Sequence, residues 1–186
     1  SQLLSDAKSG YGRLIDLQGS AGSGKSRLVE EVIQVAAIRG LMVLHGEAIE
    51  AIDQGSFAIF ERLFESALRD QHARQSILHA IESLDPHSTS VLSHLFRCLQ
   101  PFIKTSTIDR GPESFGENRC IEAILKLMQS LATSTQPVLL VLENLQWTAP
   151  IIGRMLRRWQ AYSKTANQYL AIVTTSQFDS TCKIHD

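Results

Sequence analysis

The segment from Gly19 to Ser26 restricts the fold of this chain more than any other part of its sequence. It reads Gly-Ser-Ala-Gly-Ser-Gly-Lys-Ser and matches the pattern G-x-x-x-x-G-K-[ST] at every fixed position. Glycines let the backbone curl so that successive N–H groups point inward, and a helix that begins near Gly24 adds the positive end of its dipole. The segment therefore predicts a phosphate-binding loop, or P-loop.

The residues on either side supply the elements that such a loop requires. Residues 13–18 read as a short strand, and residues 26–38 read as a helix with a broad apolar face. Strand, glycine loop and helix follow in the required order, which favours phosphate binding over an ordinary glycine-rich turn. The predicted apolar face comprises Leu28, Val29, Val32, Ile33, Val35 and Ala36.

Two side chains of the loop carry the chemistry of phosphate binding. Lys25 can reach the β- and γ-phosphates as a point charge. The hydroxyl of Ser26 has the position and hardness of a Mg²⁺ ligand. The predicted ligand is a triphosphate with Mg²⁺.

The composition is that of one domain of ordinary core size, with 186 residues, 44% of them hydrophobic and 20% charged. Eighteen basic residues against nineteen acidic ones leave a formal net charge of −1, which gives no general attraction to nucleic acid or to an anionic membrane. The cysteines, Cys98, Cys120 and Cys182, are widely spaced and fit free, buried thiols better than a disulfide framework.

The ends of the chain carry no sign of a membrane or a secreted protein. No apolar run approaches the roughly 18 residues of a membrane span, and the N-terminus lacks a signal pattern. We therefore expect a cytoplasmic protein without membrane contact. Because the chain starts at Ser1 and ends on a polar tail, we also expect it to be a piece of a longer protein.

Residues 48–136 are predicted to form a mainly helical insertion of about 90 residues, which is far longer than an ordinary crossover between strands. Within it, residues 101–118 are rich in turn formers, and we expect a mobile surface loop there. Apolar residues recur at helical spacing over residues 57–68, 88–99 and 116–132, and further helices are predicted at residues 72–84, at residues 150–162 and within residues 1–12, before a turn at residues 10–12.

Histidines and cysteines within the insertion do not form a convincing metal site. His94 and Cys98 lie four residues apart on one predicted helix, with His72 and His79 upstream. No second pair at fixed spacing accompanies them, so solvated or packed helix faces are the preferred interpretation.

Strands are also predicted at residues 41–46, 138–142 and 169–175. Residues 138–142 are continuously apolar and lead into Glu143 and Asn144. An acid that closes such a strand downstream of a P-loop is the Walker B arrangement, because its carboxylate lies at the sheet edge that holds the phosphates and Mg²⁺. His45, near the end of its strand, is interpreted as a structural rather than a catalytic histidine because no partner motif accompanies it.

Three stretches together resemble the AAA-type ATPase domains of the STAND group, the signal-transduction ATPases of large bacterial transcription activators, adenylate cyclases and kinase-associated modules. They are residues 19–28 (GSAGSGKSRL), 138–147 (VLLVLENLQW) and 171–177 (AIVTTSQ). The resemblance implies a P-loop NTPase fold, an α/β architecture with a doubly wound, mostly parallel sheet and a large helical insertion between strands 2 and 3. It places the strand from Tyr169 between the strands from Arg13 and Val138.

The resemblance also assigns roles to individual residues. It implies ATP or ADP with Mg²⁺ as ligands, with Ser26 and Glu143 serving the metal. Glu143, Asn144 and Gln177 are the implied catalytic residues. The implied nucleotide-binding residues are Gly19, Ser20, Ala21, Gly22, Ser23, Gly24, Lys25, Ser26 and Arg27.

The chain departs from the family pattern at three positions near the expected γ-phosphate. Asn144 stands where a second acid is usual, Ala149 where an Asp commonly follows the Trp, and Gln177 where an Arg often ends the fourth strand. Each change removes charge. The family's fifth strand and lid subdomain are not found in the sequence, so residues 1–186 are interpreted as one nucleotide-binding domain excised from a longer chain.

The sequence is compatible with three functions. The resemblance favours a nucleotide-dependent switch within a larger signalling or transcription-regulating protein, with slow or partner-dependent ATP hydrolysis. The alternatives are an active ATPase or small-molecule P-loop kinase, and a pseudo-ATPase that acts only as an interaction scaffold. The expected partners are the nucleotide, other domains of the parent chain and, as an option, a second copy, whereas nucleic acid contact is not expected.

Overall fold

The four apolar runs of the sequence form the strands of one sheet. In a computed structural model, which describes residues 2–50, 55–103, 116–163 and 168–177, these strands pair side by side in parallel. Their bounds are Arg13–Gly19 for β1, Met42–Glu47 for β2, Val138–Glu143 for β3 and Leu170–Gln177 for β4.

The order of the strands in the sheet is β1-β4-β3-β2. The strand that begins at Leu170 thus lies between the strands of Arg13 and Val138, which confirms the predicted central position of β4. All residues of β3 are buried because helices cover both faces of the sheet there. The P-loop strand β1 and the Walker B strand β3 therefore do not pair directly.

Seven α-helices and two short 3₁₀ helices are found in the described ranges. The α-helices are α1 (Gln2–Lys8), α2 (Lys25–Ile38), α3 (Ala58–Ala67), α4 (Gln71–Glu82), α5 (Pro86–Leu95), α6 (Glu117–Leu131) and α7 (Pro150–Tyr162), and the 3₁₀ helices span Arg97–Phe102 and Leu145–Trp147. None of these helices is both long and apolar enough to cross a lipid bilayer.

Each face of the sheet has its own hydrophobic core. Helices α1 and α2 pack on one face, where Val29 and Ala36 meet the buried strand residues Val141 and Ala171. The larger core, on the other face, is formed by α3 to α7. Its largest fully buried side chains are Trp159, Phe60, Phe64 and Phe96, each of which contributes roughly 1.5–3 kcal/mol by leaving water.

Aspartates fix the starts of two helices in the insertion. The carboxylate of Asp70 accepts the N–H of Ala73 at 2.8 Å, and that of Asp85 accepts the N–H of Ser88 at 2.9 Å. An N-cap of this kind satisfies an otherwise unpaired backbone donor of the first turn. The sequence correctly predicts the break at Asp85, although α5 begins at Pro86 rather than at residue 88.

The end of α5 differs from the prediction of a helix over residues 88–99. The helix stops at Leu95, and Phe96 is extended with φ −125° and ψ 105°. The carboxylate of Glu61 on α3 accepts the N–H groups of Arg97 and Cys98 at 3.1 and 3.0 Å. A side chain from another helix therefore stabilises a new 3₁₀ turn where the sequence pattern predicts a continuous helix.

The predicted apolar face of α2 is only partly buried. Leu28 and Val35 are 46% and 39% exposed and, with Ile15 of β1, border a groove of about 370 Å³ between α1 and α2. This exposure arises because β1 lies at the edge of the sheet, with β4 as its one partner strand among the described residues.

The cysteines agree only in part with the prediction of buried thiols. Cys120 is buried as predicted, whereas Cys98 is only half-buried, and the two do not form a disulfide with each other. Cys182 lies outside the described residues, as do residues 104–115, the greater part of the expected mobile loop.

Candidate nucleotide site

The P-loop connects β1 to α2 and depends on two glycines in left-handed backbone conformations. Gly22 has φ 75° and Gly24 has φ 87°, values that a side chain rarely tolerates. Gly24 directly precedes α2, so the loop delivers the chain to the N-terminus of that helix. Free N–H groups and the positive end of the helix dipole thus meet at one exposed place, which suits an anion.

Lys25 is held across the loop by oxygen atoms of the loop itself. Its Nζ donates to the carbonyl oxygens of Gly19 and Ser20, both at 2.8 Å, and lies 3.4 Å from Oγ of Ser23. An ammonium group has three donors, and these contacts occupy all of them. Phosphate oxygens that entered the loop would replace neutral carbonyls with charged acceptors, which makes stronger hydrogen bonds.

The strand register aligns the ends of the four strands at one edge of the sheet. Gly19 pairs with Gln177, Glu47 pairs with Glu143, and Leu142 pairs with Thr174, so that Glu143 is level with Thr175. Because all strands are parallel, their carboxyl ends and the P-loop share this edge. The structure thereby gathers there the predicted residues Glu143, Asn144 and Gln177.

Glu143 is a buried carboxylate with a defined partner. It is 8% exposed, and its Oε1 lies 2.9 Å from Nε2 of His45 on the neighbouring strand β2. The hydrogen bond to Glu143 raises the pKa of His45, assisted by the charges of Glu143 and Glu47 and opposed by partial burial. His45 thus belongs to the candidate site, which the sequence interpretation missed because the two residues lie 98 positions apart.

Asn144 is fixed by both its backbone and its side chain. It is the one described non-glycine residue with positive φ, at φ 60° and ψ 44°, a conformation that asparagine accepts more readily than most residues. Its N–H donates to Oγ1 of Thr175 at 3.0 Å, and its Nδ2 donates to Oε1 of Glu47 at 3.0 Å. Glu47 and Thr175 are therefore further site residues that the sequence analysis did not identify.

Gln177 ends β4 beside the short helix that follows Asn144. Its N–H donates to Oε1 of Gln146 at 3.1 Å, so the backbone of the strand end is fixed while the residue itself is exposed. Nε2 of Gln146 is buried and has no hydrogen-bond partner among the described residues. Arg27, by contrast, is directed along α2, where it forms an exposed ion pair with Glu31 at 3.5 Å.

The donor atoms at this edge fit Mg²⁺. That ion prefers hard oxygen ligands and commonly takes only one or two protein ligands, with phosphate oxygens and waters as the others. The exposed hydroxyl of Ser26 and the carboxylate of Glu143 provide such oxygens, and the described residues offer no hydrogen bond to Oε2 of Glu143. A site made of histidine, cysteine and acid ligands alone is not found among the described residues.

A parallel sheet in the order β1-β4-β3-β2 with a P-loop before α2 defines a P-loop nucleotide-binding domain. The chain belongs to the AAA ATPase domain family, since the sequence model of that family matches residues 1–158. It is thus a nucleotide-binding module of that family, as the sequence resemblance to AAA-type domains predicts.

Comparisons with other proteins add little beyond the family. Among curated proteins no sequence matches the chain significantly. Among solved structures, the chain is similar to a chain in the structure of Drosophila ORC bound to DNA, at 18% identity and a TM-score of 0.48. The alignment covers 96% of this chain and 35% of that one, so the present chain spans about a third of its neighbour's length.

Proposed function

We propose that this domain is a regulatory switch that binds ATP or ADP with Mg²⁺ and hydrolyses ATP slowly. The observation that carries the proposal is the contrast between a complete P-loop and two neutral residues at strand ends beside it. Lys25 is poised over the loop with three oxygen contacts, whereas Asn144 and Gln177 stand at the strand ends where charge would assist hydrolysis.

The proposed roles of the residues are those that the family resemblance implies, and the places of these residues at the sheet edge support them. The loop from Gly19 to Ser26, followed by Arg27, binds the phosphates. Ser26 and Glu143 would hold Mg²⁺, which would supply neutralising charge to the bound phosphates. Gln177 would face the γ-phosphate as a neutral donor.

Asn144 orients the attacking water but cannot accept a proton as a carboxylate does. Glu143, if it serves the metal, is not free to act as a base, and Gln177 lacks the cationic fork of an arginine. Contacts of the arginine-finger kind are worth on the order of 10³ or more in rate, so we expect slow turnover by the isolated domain. An arginine from a partner subunit or another domain would raise the turnover rate.

In this role the domain would report its nucleotide state to the rest of a larger STAND-type signalling or transcription-regulating protein in the cytoplasm. The other domains of that protein are then its main partners, with self-association as an option. The nearly neutral charge supports protein partners over nucleic acid, since a net charge of −1 offers no electrostatic footprint for a phosphate backbone.

Nucleotide binding and turnover measured on one sample test this proposal. We expect Mg²⁺-ATP and Mg²⁺-ADP to bind in titration calorimetry, and Lys25→Ala to weaken both. Turnover of about 1 s⁻¹ or faster that Lys25→Ala abolishes would instead identify an active ATPase. A phosphorylated small-molecule product would identify a kinase. If neither the wild type nor Lys25→Ala bound nucleotide, the domain would be a scaffold.

A further inference from the structure

The carboxylate missing from position 144 is present on the neighbouring strand. Glu47 ends β2, and its Oε1 accepts a hydrogen bond from Nδ2 of Asn144 at 3.0 Å. We propose that Glu47 is a positioning residue for ATP hydrolysis: it orients the Asn144 amide so that Oδ1 is presented to the attacking water. This inference rests on the proposed function and specifies how its slow reaction is arranged.

The contact with Glu47 determines the orientation of the Asn144 side-chain amide. An ionised carboxylate only accepts hydrogen bonds, so the donor end of the Asn144 amide must face it. Oδ1 of Asn144 has no hydrogen-bond partner among the described residues. The acceptor end is therefore left available for a water, whereas without Glu47 either end of the amide could be presented.

Both members of the pair are held by their backbones. The carbonyl oxygen of Glu47 accepts from Nη2 of Arg62 at 2.7 Å, and the N–H of Asn144 donates to Thr175 at 3.0 Å. The carbonyl oxygen of Asn144 accepts the N–H of Trp147 at 3.0 Å. The side-chain contact thus joins two fixed points of the sheet edge, and Thr175 links it to β4, next to the P-loop strand.

Glu47 also explains why residue 144 is neutral. An acid at position 144 would place a second carboxylate about 3 Å from that of Glu47, a separation at which two carboxylates cannot both ionise easily. Glu47 already pairs in register with Glu143, whose Oε1 lies 2.9 Å from Nε2 of His45. A neutral amide that donates to Glu47 is compatible with this arrangement, and a third carboxylate is not.

The reaction needs no proton acceptor among these residues. The water oxygen bonds to the γ-phosphorus while the bond from that phosphorus to the β–γ bridging oxygen breaks. The water proton passes to a phosphate oxygen, because an amide cannot take it. Oδ1 of Asn144 contributes by accepting one hydrogen bond from the water, which fixes its direction of attack.

A double-mutant cycle at positions 47 and 144 tests the inference. Glu47→Gln, Asn144→Asp and the double variant are compared with the wild type by single-turnover hydrolysis of Mg²⁺-ATP, with binding and melting temperature measured alongside. The matched control is Glu50→Gln, which alters an exposed glutamate with no hydrogen bond or ion pair to the described residues. We expect the control to behave as the wild type.

Each single variant should lower the hydrolysis rate about tenfold without a change in nucleotide affinity, since each disturbs the orientation of residue 144. The double variant should recover at least about tenfold over either single one. Its new amide at position 47 would donate to its new carboxylate at position 144 and so place an acid beside the water. If Glu47 had a purely structural role, the rate losses of the two single variants would instead add up in the double variant.

Several outcomes would overturn the inference. The first is a hydrolysis rate of Glu47→Gln equal to that of the wild type. The second is a double variant in which the two substitutions change the rate independently. The third is a wild type that binds nucleotide but does not hydrolyse it. Failure of the wild type to bind nucleotide would refute the proposed function itself, which the binding measurement reveals separately from the rates.

Discussion

Nε2 of His45 lies 2.9 Å from Oε1 of Glu143, which joins the end of β2 to the carboxylate that closes β3. The neighbouring carboxylate of Glu47 adds to the negative potential around the imidazole. This hydrogen bond fixes the position of Glu143 before any ligand arrives, because a buried carboxylate with one oxygen engaged has little rotational freedom left.

The first prediction concerns the protonation of His45 in Mg²⁺-free buffer. The hydrogen bond and charge of Glu143 raise the pKa of His45 above its ordinary value of 6.5. An NMR titration of the His45 ring should show this, and Glu143→Gln should bring the midpoint down.

The same pKa shift fixes the sign of a stability effect. Since the folded pKa is raised, the stabilisation by protonated His45 is complete below the unfolded pKa of about 6.5 and is lost as the pH rises through the folded value. The melting-temperature difference between wild type and His45→Gln should therefore shrink from pH 5.5 to pH 9. A difference that grew with pH would contradict the predicted direction.

A second prediction concerns Lys25 and the coupling of nucleotide to stability. At about one hundred times the dissociation constant, Mg²⁺-ATP or Mg²⁺-ADP should stabilise the fold by roughly 2.7 kcal/mol, which at this chain length raises the melting temperature by about 5–10 °C. Lys25→Ala should reduce the shift. Lys8→Ala is the matched control, because Lys8 is an exposed lysine on α1 whose one hydrogen bond to the described residues is to the carbonyl of Arg39 at 3.1 Å.

Helix α5 provides a third prediction, on the N-cap Asp85. Its carboxylate accepts from the hydroxyl of Ser88 at 2.7 Å and from its N–H at 2.9 Å, and Nζ of Lys126 lies at 3.0 Å. Asp85→Ala should lower the free energy of unfolding by about 1–2 kcal/mol, whereas Asp85→Asn, which keeps an acceptor, should cost less. Chemical denaturation of the three proteins measures the difference.

The contribution of Asp85 also has a predicted pH dependence. The hydrogen bonds from Ser88, with Lys126 beside them, hold the pKa of Asp85 well below its usual range. A lowered pKa gives stabilisation that is present above the unfolded value of about 3.9 and is lost as the pH falls below it. The difference in the free energy of unfolding between wild type and Asp85→Asn should therefore decrease as the pH falls from 6 toward 3.

Two glycines with opposite surroundings give a fourth prediction. A Cβ at Gly12 would lie 2.9 Å from the carbonyl oxygen of Leu170 and 3.0 Å from the ring of Trp159, so Gly12→Ala should cost about 1–3 kcal/mol. A Cβ at Gly153, within α7, would meet no described atom within 4 Å other than the end of the Arg157 side chain at 3.7 Å. Gly153→Ala should stabilise by roughly 0.5–1 kcal/mol, because alanine favours helix. Equal effects in thermal unfolding would contradict this account.

The sequence predicts the parts of this fold that depend on local patterns. The phosphate loop from Gly19 to Ser26 is specified by its own glycines, and the buried strand Val138–Glu143 by its continuous apolar run. The break at Asp85 follows from the residue pair Asp-Pro, which caps one helix as it ends another. Strand order required the family resemblance in addition.

The sequence does not predict the contacts that depend on register between distant strands. His45 and Glu143 lie 98 positions apart, and Glu47 and Asn144 lie 97 apart. A shift of one residue between β2 and β3 would direct these side chains to opposite faces, so the pairs exist only once the sheet has formed. The early end of α5 has a similar origin, since the capping carboxylate of Glu61 comes from α3.

The fifth prediction is that a positive charge at position 177 accelerates hydrolysis. Gln177 is exposed at the end of β4, its N–H is fixed by Gln146 at 3.1 Å, and it is paired in register with Gly19, the first residue of the P-loop. A longer side chain with a guanidinium fork can therefore reach toward the bound γ-phosphate from a fixed backbone. It would stabilise the charge that spreads over the γ-phosphoryl oxygens in the transition state.

We expect Gln177→Arg to raise the single-turnover hydrolysis rate by at least about tenfold, a conservative fraction of the roughly 10³ or more attributed to arginine fingers. Gln177→Lys should raise it less, because an ammonium lacks the planar fork, and Gln177→Met, which removes the polar group at similar length, should not raise it. If the arginine variant binds Mg²⁺-ATP more tightly but hydrolyses it no faster, position 177 contacts the ground state only. Slow turnover would then originate at Asn144, where the attacking water is oriented without a base.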